Sequence, residues 1–116
     1  MKNKAVLEKA NEYLKEGDID MFLTYCTEDT EWSFVGQKNL KGKEAVKQYL
    51  EETYTESTEF QIDVMIEEGD FVMQMGEIHF KNERKEKVAY LASDLWRFQD
   101  GKMAELKAFV IKKENQ

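Results

Sequence analysis

The chain has no proline, one cysteine, one histidine and no apolar run of membrane-spanning length. Without a second cysteine, Cys26 has no internal disulfide partner, and one histidine with one cysteine cannot assemble the usual zinc or iron–sulfur ligand sets. The expectation is a cytoplasmic protein that uses neither a metal nor an organic cofactor. The opening residues, Met1-Lys-Asn-Lys-Ala-Val-Leu-Glu-Lys, turn charged again before a signal-length apolar core accumulates. A soluble, unprocessed chain is therefore expected.

Positive charge is also short: 17 lysines and arginines stand against 24 acids, a net charge of −7. That balance opposes attraction to phosphate backbones and anionic lipid, so neither nucleic acid nor a membrane is expected as a partner. The 116 residues, 41% hydrophobic and 12% aromatic, suffice for one cored domain over 1–116 and are too few for two.

Periodicity organises what is present. Val6, Leu7, Ala10, Tyr13 and Leu14 recur at helical spacing across Lys4 to Glu16, an amphipathic first helix. Gly17 can close it in the left-handed conformation and Asp18 can cap the next helix, which carries Met21, Phe22 and Tyr25. Thr30 to Val35 alternates, with Trp32 and Phe34 on one side, and Gly36 to Gly42 reads as a loop into a third helix near Lys43 to Glu56. Four strands follow, Phe60 to Glu67, Phe71 to Phe80, Val88 to Phe98 and Met103 to Ile111, with Asp100-Gly101 as a strong hairpin signal. Gly76 inside the second of these marks a bend or bulge. Helices first and consecutive hairpins after them predict an α+β fold in which a curved sheet wraps a helical layer.

One residue breaks the pattern. Val88, Tyr90, Ala92, Asp94, Trp96 and Phe98 form an alternating row that is otherwise the apolar face of a strand. A carboxylate among aromatic rings loses hydration, which disfavours its charged form and raises its pKa toward the range of proton transfer. Asp94 is thus the candidate acid/base.

The order of these features resembles the nuclear transport factor 2-like superfamily, closest to its SnoaL-like and ketosteroid-isomerase-like branch. The residues that carry the resemblance are Gly17-Asp18-Ile19-Asp20, Trp32, Gly42-Lys43-Glu44-Ala45-Val46 and Asp94-Leu95-Trp96-Arg97-Phe98-Gln99-Asp100-Gly101-Lys102. It implies a cystatin-like, cone-shaped roll with three N-terminal helices on a mostly antiparallel sheet, enclosing a pocket and commonly dimeric. Members include isomerases, polyketide cyclases and dehydratases. Asp94 matches the protonated aspartate of ketosteroid isomerase. That enzyme's tyrosine corresponds to Ala10, with Tyr13 the nearest substitute, and its base aspartate to Phe34 or Ser33. Steroid isomerisation by that route is therefore not expected.

On this reading Asp94 is catalytic, and Tyr13, Trp32, Phe34, Tyr49, Tyr90 and Trp96 surround a small apolar or amphipathic molecule. For any one of these rings ordinary core packing is the better account, and the resemblance shifts the balance toward a cavity only for the set. The alternatives are a non-catalytic binding protein for an apolar metabolite and a dimeric interaction module with a vestigial pocket. His79 and Glu77 share a row near a charged hairpin tip and read as surface groups. Met65, Met73 and Met75 suggest an adaptable apolar surface. With apolar residues on both faces of that strand, a homodimer is expected to cover the outer one. Cys26, placed at the end of the second helix, reads as a small buried residue.

Overall fold

The computed structural model describes residues 2–54 and 58–113. Helix α1 (Asn3–Lys15) buries Val6, Leu7, Ala10 and Leu14 on one stripe. Each fully buried aliphatic side chain of this kind contributes about 1.5–3 kcal/mol. The helix stops where Gly17 takes φ +79°, and Asp18 then accepts a hydrogen bond from Met21 N (3.2 Å) to cap α2 (Ile19–Leu23). The corner expected from Gly17-Asp18 is present. Asp20, the acid beside it, pairs with Lys47 of the third helix at 3.4 Å.

The remaining elements are β1 (Cys26–Phe34), β2 (Lys38–Lys41), α3 (Lys43–Thr53), β3 (Glu59–Glu68), β4 (Phe71–Lys81), β5 (Lys87–Gln99) and β6 (Lys102–Lys112). They form one open sheet in the order β2-β1-β6-β5-β4-β3, antiparallel except for the parallel β1–β6 pair. Helix α1 lies over β3, β4 and β6, and α3 over β1 and β2. The result is the expected α+β roll, 42 × 27 × 27 Å. Among the described residues no helix is long and apolar enough to cross a membrane.

Three boundaries differ from the sequence expectation. β1 begins at Cys26 rather than Thr30, because Thr27, Glu28 and Asp29 carry no apolar alternation although a register shift lets Cys26 pair with Met103. Cys26 therefore opens a strand instead of ending a helix, and is wholly buried. The stretch read as a loop contains β2, a polar edge strand whose Leu40 stands opposite Trp32. Its partner, not its own composition, makes it a strand. The expected helix end at Glu56 lies outside the described residues; α3 ends at Thr53.

Register decides which residues face inward. On β4, Val72, Gln74, Gly76 and Ile78 are buried, while Phe71, Met73, Met75, Glu77 and His79 occupy the outer face. Gly76 lies opposite the bulge in β3 between Ile62 and Val64. A Cβ at Gly76 would overlap the Gln61 carbonyl oxygen, so only glycine allows that close approach. Met65 packs against the core from β3, separating it from the two outer-face methionines.

Candidate functional site

The concave face of the sheet and the covering helices leave a cavity of about 440 Å³, within the range typical of small-molecule sites, roughly 300–1,000 Å³.

Asp94 stands on the cavity wall because β5 is flanked in register by Gln74 on β4 and Ala108 on β6, both inward-facing. Trp96, one inward position along β5, meets Trp32 of β1 edge-to-face at 5.3 Å and 84°. Phe34 of β1 and Tyr49 of α3 lie 4.8 Å apart, continuing an aromatic wall toward the open end, which Tyr90 and Phe80 flank from β5 and β4 at 5.8 Å. The structure thus brings Asp94, Trp32, Phe34, Tyr49, Tyr90 and Trp96 around one cavity. Tyr13 is the exception. It is not part of the lining but stacks on Tyr25 at 6.1 Å, with Lys9 5.5 Å from its ring. Its place on α1, three residues beyond the buried Ala10, directs it against the segment after α2.

The polar chemistry is a directional chain. Asn11 Nδ2 donates to Gln74 Oε1 (2.9 Å), and Gln74 Nε2 donates to Asp94 Oδ2 (3.2 Å). Asn11 and Gln74 are both buried. With its oxygen occupied by Asn11, the Gln74 amide presents its nitrogen to the carboxyl. No lysine or arginine pairs with Asp94 among the described residues. Burial pushes its pKa up to about 6, against the opposing effect of the Gln74 hydrogen bond.

Two phenols face the same space. Tyr49 and Tyr54 line the cavity, and burial raises both above the ordinary phenol value, with the charge of Asp94 acting in the same direction. Both therefore stay protonated at neutral pH, with the Tyr49 hydroxyl hydrogen-bonded to the side chain of Thr53. The indole nitrogens of Trp32 and Trp96 are buried without a hydrogen-bond partner among the described residues.

The other titratable candidates are engaged elsewhere or buried apart from the cavity. His79 Nε2 lies 3.3 Å from Glu77 Oε2 on the outer face, and Lys113 holds the other Glu77 oxygen at 2.6 Å. Burial pushes the Cys26 thiol up to about 12, which keeps it from acting as a nucleophile. Among the described residues no three His, Cys, Asp or Glu side chains converge to hold a metal ion.

Sequence reasoning overlooked Asn11, Tyr54 and Lys38. A signal existed for Asn11: it lies four residues after Leu7 and three before Leu14, inside the buried stripe, a polar residue in an apolar row just as Asp94 is. Register places Gln74, rather than the adjacent Met73, opposite Asp94.

Comparison with known proteins agrees with this architecture. The family model described as a SnoaL-like domain matches residues 7–106. SalBIII, an epoxide hydrolase/cyclase-like enzyme of pyran ring formation in the polyether salinomycin, superposes with a TM-score of 0.86 at 20% identity, over 94% of this chain and 90% of that one. An uncharacterised cystatin-fold protein from Novosphingobium aromaticivorans gives 0.84 at 15% identity, over 94% and 98%. TerC, crystallised with polyporic acid, gives 0.80 at 18% identity, over 92% and 89%. No curated protein matches the sequence significantly.

Proposed function

The chain belongs to the SnoaL-like domain family, and on that premise we propose that it is a small-molecule pocket protein in which Asp94 gives and takes a proton, as an isomerase, cyclase or dehydratase. The observation that carries this reading is a carboxyl on a cavity wall with one amide donor, no cationic partner among the described residues and a pKa raised to about 6. At neutral pH about a tenth of such a group is protonated, so both forms are available. The neutral carboxyl would donate its proton to a substrate oxygen. The resulting carboxylate would recover a proton from a carbon or hydroxyl of the same molecule, regenerating the acid. Tyr49 and Tyr54 would steady the developing charge on that oxygen. Ring closure by SalBIII, which shares the fold, supports the cyclase form of this reading.

The test is conversion of a panel of epoxy alcohols and β-hydroxy ketones, followed by mass spectrometry, with Asp94→Asn beside the wild type. Loss of turnover in a folded variant is the expected outcome; equal turnover removes Asp94 from the chemistry.

One consideration favours a second reading, a non-catalytic binder of an apolar metabolite: by the resemblance, Ala10 and either Phe34 or Ser33 correspond to the positions where ketosteroid isomerase carries a tyrosine and an aspartate. Ligand-dependent thermal stabilisation without any product in the same samples would select it.

The outer face of the sheet supports a homodimer. Met75, Leu91, Phe109 and Ile111 lie there on three adjacent strands, and Ile111 is 66% exposed. Light scattering at micromolar concentration should give twice the chain mass, and a monomeric mass would refute the dimer.

A further inference from the structure

The rim of the cavity is cationic although the chain as a whole is acidic. Lys38 of β2 and Lys81 at the end of β4 both line the cavity and are exposed, as are their neighbours Gln37 and Asn82, so these residues form its mouth. The Lys38 ammonium sits 4.6 Å from the Tyr49 ring centre and 5.8 Å from that of Phe34. Among the described residues neither Lys38 nor Lys81 has a carboxylate within ion-pairing distance, while Lys43, Lys47, Lys87 and Lys113 each do. Contact with aromatic faces holds an ammonium in place but does not neutralise it.

Among the described residues the lining carries two carboxylates. Glu77 is engaged by Lys113 and His79 on the outer face, and Asp94 lies in the interior, hydrogen-bonded to Gln74. Among the described residues the unneutralised charge at the mouth is therefore positive, and the space behind it is walled by Phe34, Tyr49, Phe80 and Tyr90. Lys38 stands opposite Phe34, Phe34 opposite Ala108 and Ala108 opposite Asp94, so three strand spacings, roughly 14 Å, separate Lys38 from Asp94. An occupant that touches both ends is long as well as apolar.

Resting on the pocket reading above, we propose that the ligand class is an elongated aromatic or polycyclic organic anion, with its acidic end at Lys38 and its apolar body directed inward toward Asp94. Lys81 adds attraction at the outer rim. Lys38 selects by charge, and the aromatic walls bind by area.

Biphenyl-4-carboxylate and its neutral isostere biphenyl-4-carboxamide, titrated calorimetrically into the wild type and into Lys38→Met, test this. Methionine keeps an apolar stem on the rings and removes the charge. The expected result is that the wild type prefers the carboxylate and that K38M weakens it roughly tenfold, the scale of one charge-assisted hydrogen bond. The carboxamide should bind both proteins alike. Equal binding of the two probes by the wild type, or equal weakening of both by K38M, overturns the anionic class while leaving the pocket intact. Binding of neither probe at millimolar concentration overturns the pocket reading, and this inference with it.

Discussion

Replacing Asp94 by asparagine should make the protein more stable, and increasingly so as pH rises. Asp94 ionises near 3.8 in an unstructured chain and near 6 in the fold, because burial disfavours its charged form. The folded state therefore holds the proton more tightly than the unfolded state. Stability from the neutral carboxyl is complete below 3.8, declines as pH rises and is lost above about 6. The full gap is worth about 3 kcal/mol at most, of which about 1.4 kcal/mol develops between pH 5 and pH 8. Asparagine cannot ionise, is nearly isosteric, and its oxygen can still accept from Gln74 Nε2. The stability of D94N minus that of the wild type should thus grow by about 1.4 kcal/mol from pH 5 to pH 8. Urea unfolding followed by the fluorescence of the buried Trp32 and Trp96 at the two pH values reads this double difference, in which the other carboxylates cancel. A difference that stays flat, or shrinks with pH, would show that Asp94 is not strained by burial. The acid/base proposal would then lose its physical basis.

Gln74→Leu should raise the Asp94 pKa further, since the Gln74 hydrogen bond is what lowers it; ¹³C-detected carboxyl titration would show this, and a fall would contradict the assigned amide orientation. The same change leaves Asn11 Nδ2 buried without its acceptor, at about 1–3 kcal/mol, and adding Asn11→Leu should recover part of that loss in a double-mutant cycle. Gly76→Ala should destabilise by about 1–3 kcal/mol, because the new methyl overlaps the Gln61 carbonyl and pushes β3 from its bulge. An unchanged Tm would show that β3 yields there freely.

Much of the architecture was legible because it is local. The stripe of Val6, Leu7, Ala10 and Leu14, the Gly17-Asp18 corner and the alternation through β4, β5 and β6 are short-range periodicities, and each agrees with the structure to within about a residue at the strand ends. The misses share a cause. β2 and the start of β1 are polar segments that become strands through their partners, one at the sheet edge and one beside β6. Tyr13 has the helical phase of a buried residue, yet its ring is taken by Tyr25.

For the site, the sequence alone determined that one acid lies in an aromatic row and that this row forms one face of a strand, since alternation in a strand is set by the backbone. Only the tertiary structure decided what meets Asp94. A one-residue slip between β4 and β5 would exchange Gln74 for Met73 and substitute a thioether for an amide donor. It likewise decided that Asn11, 63 residues away along the chain, orients that amide, and that Lys38 from an unassuming polar stretch stands at the cavity mouth. Pairing register and helix placement follow from burying the whole core at once, and no local segment contains that information.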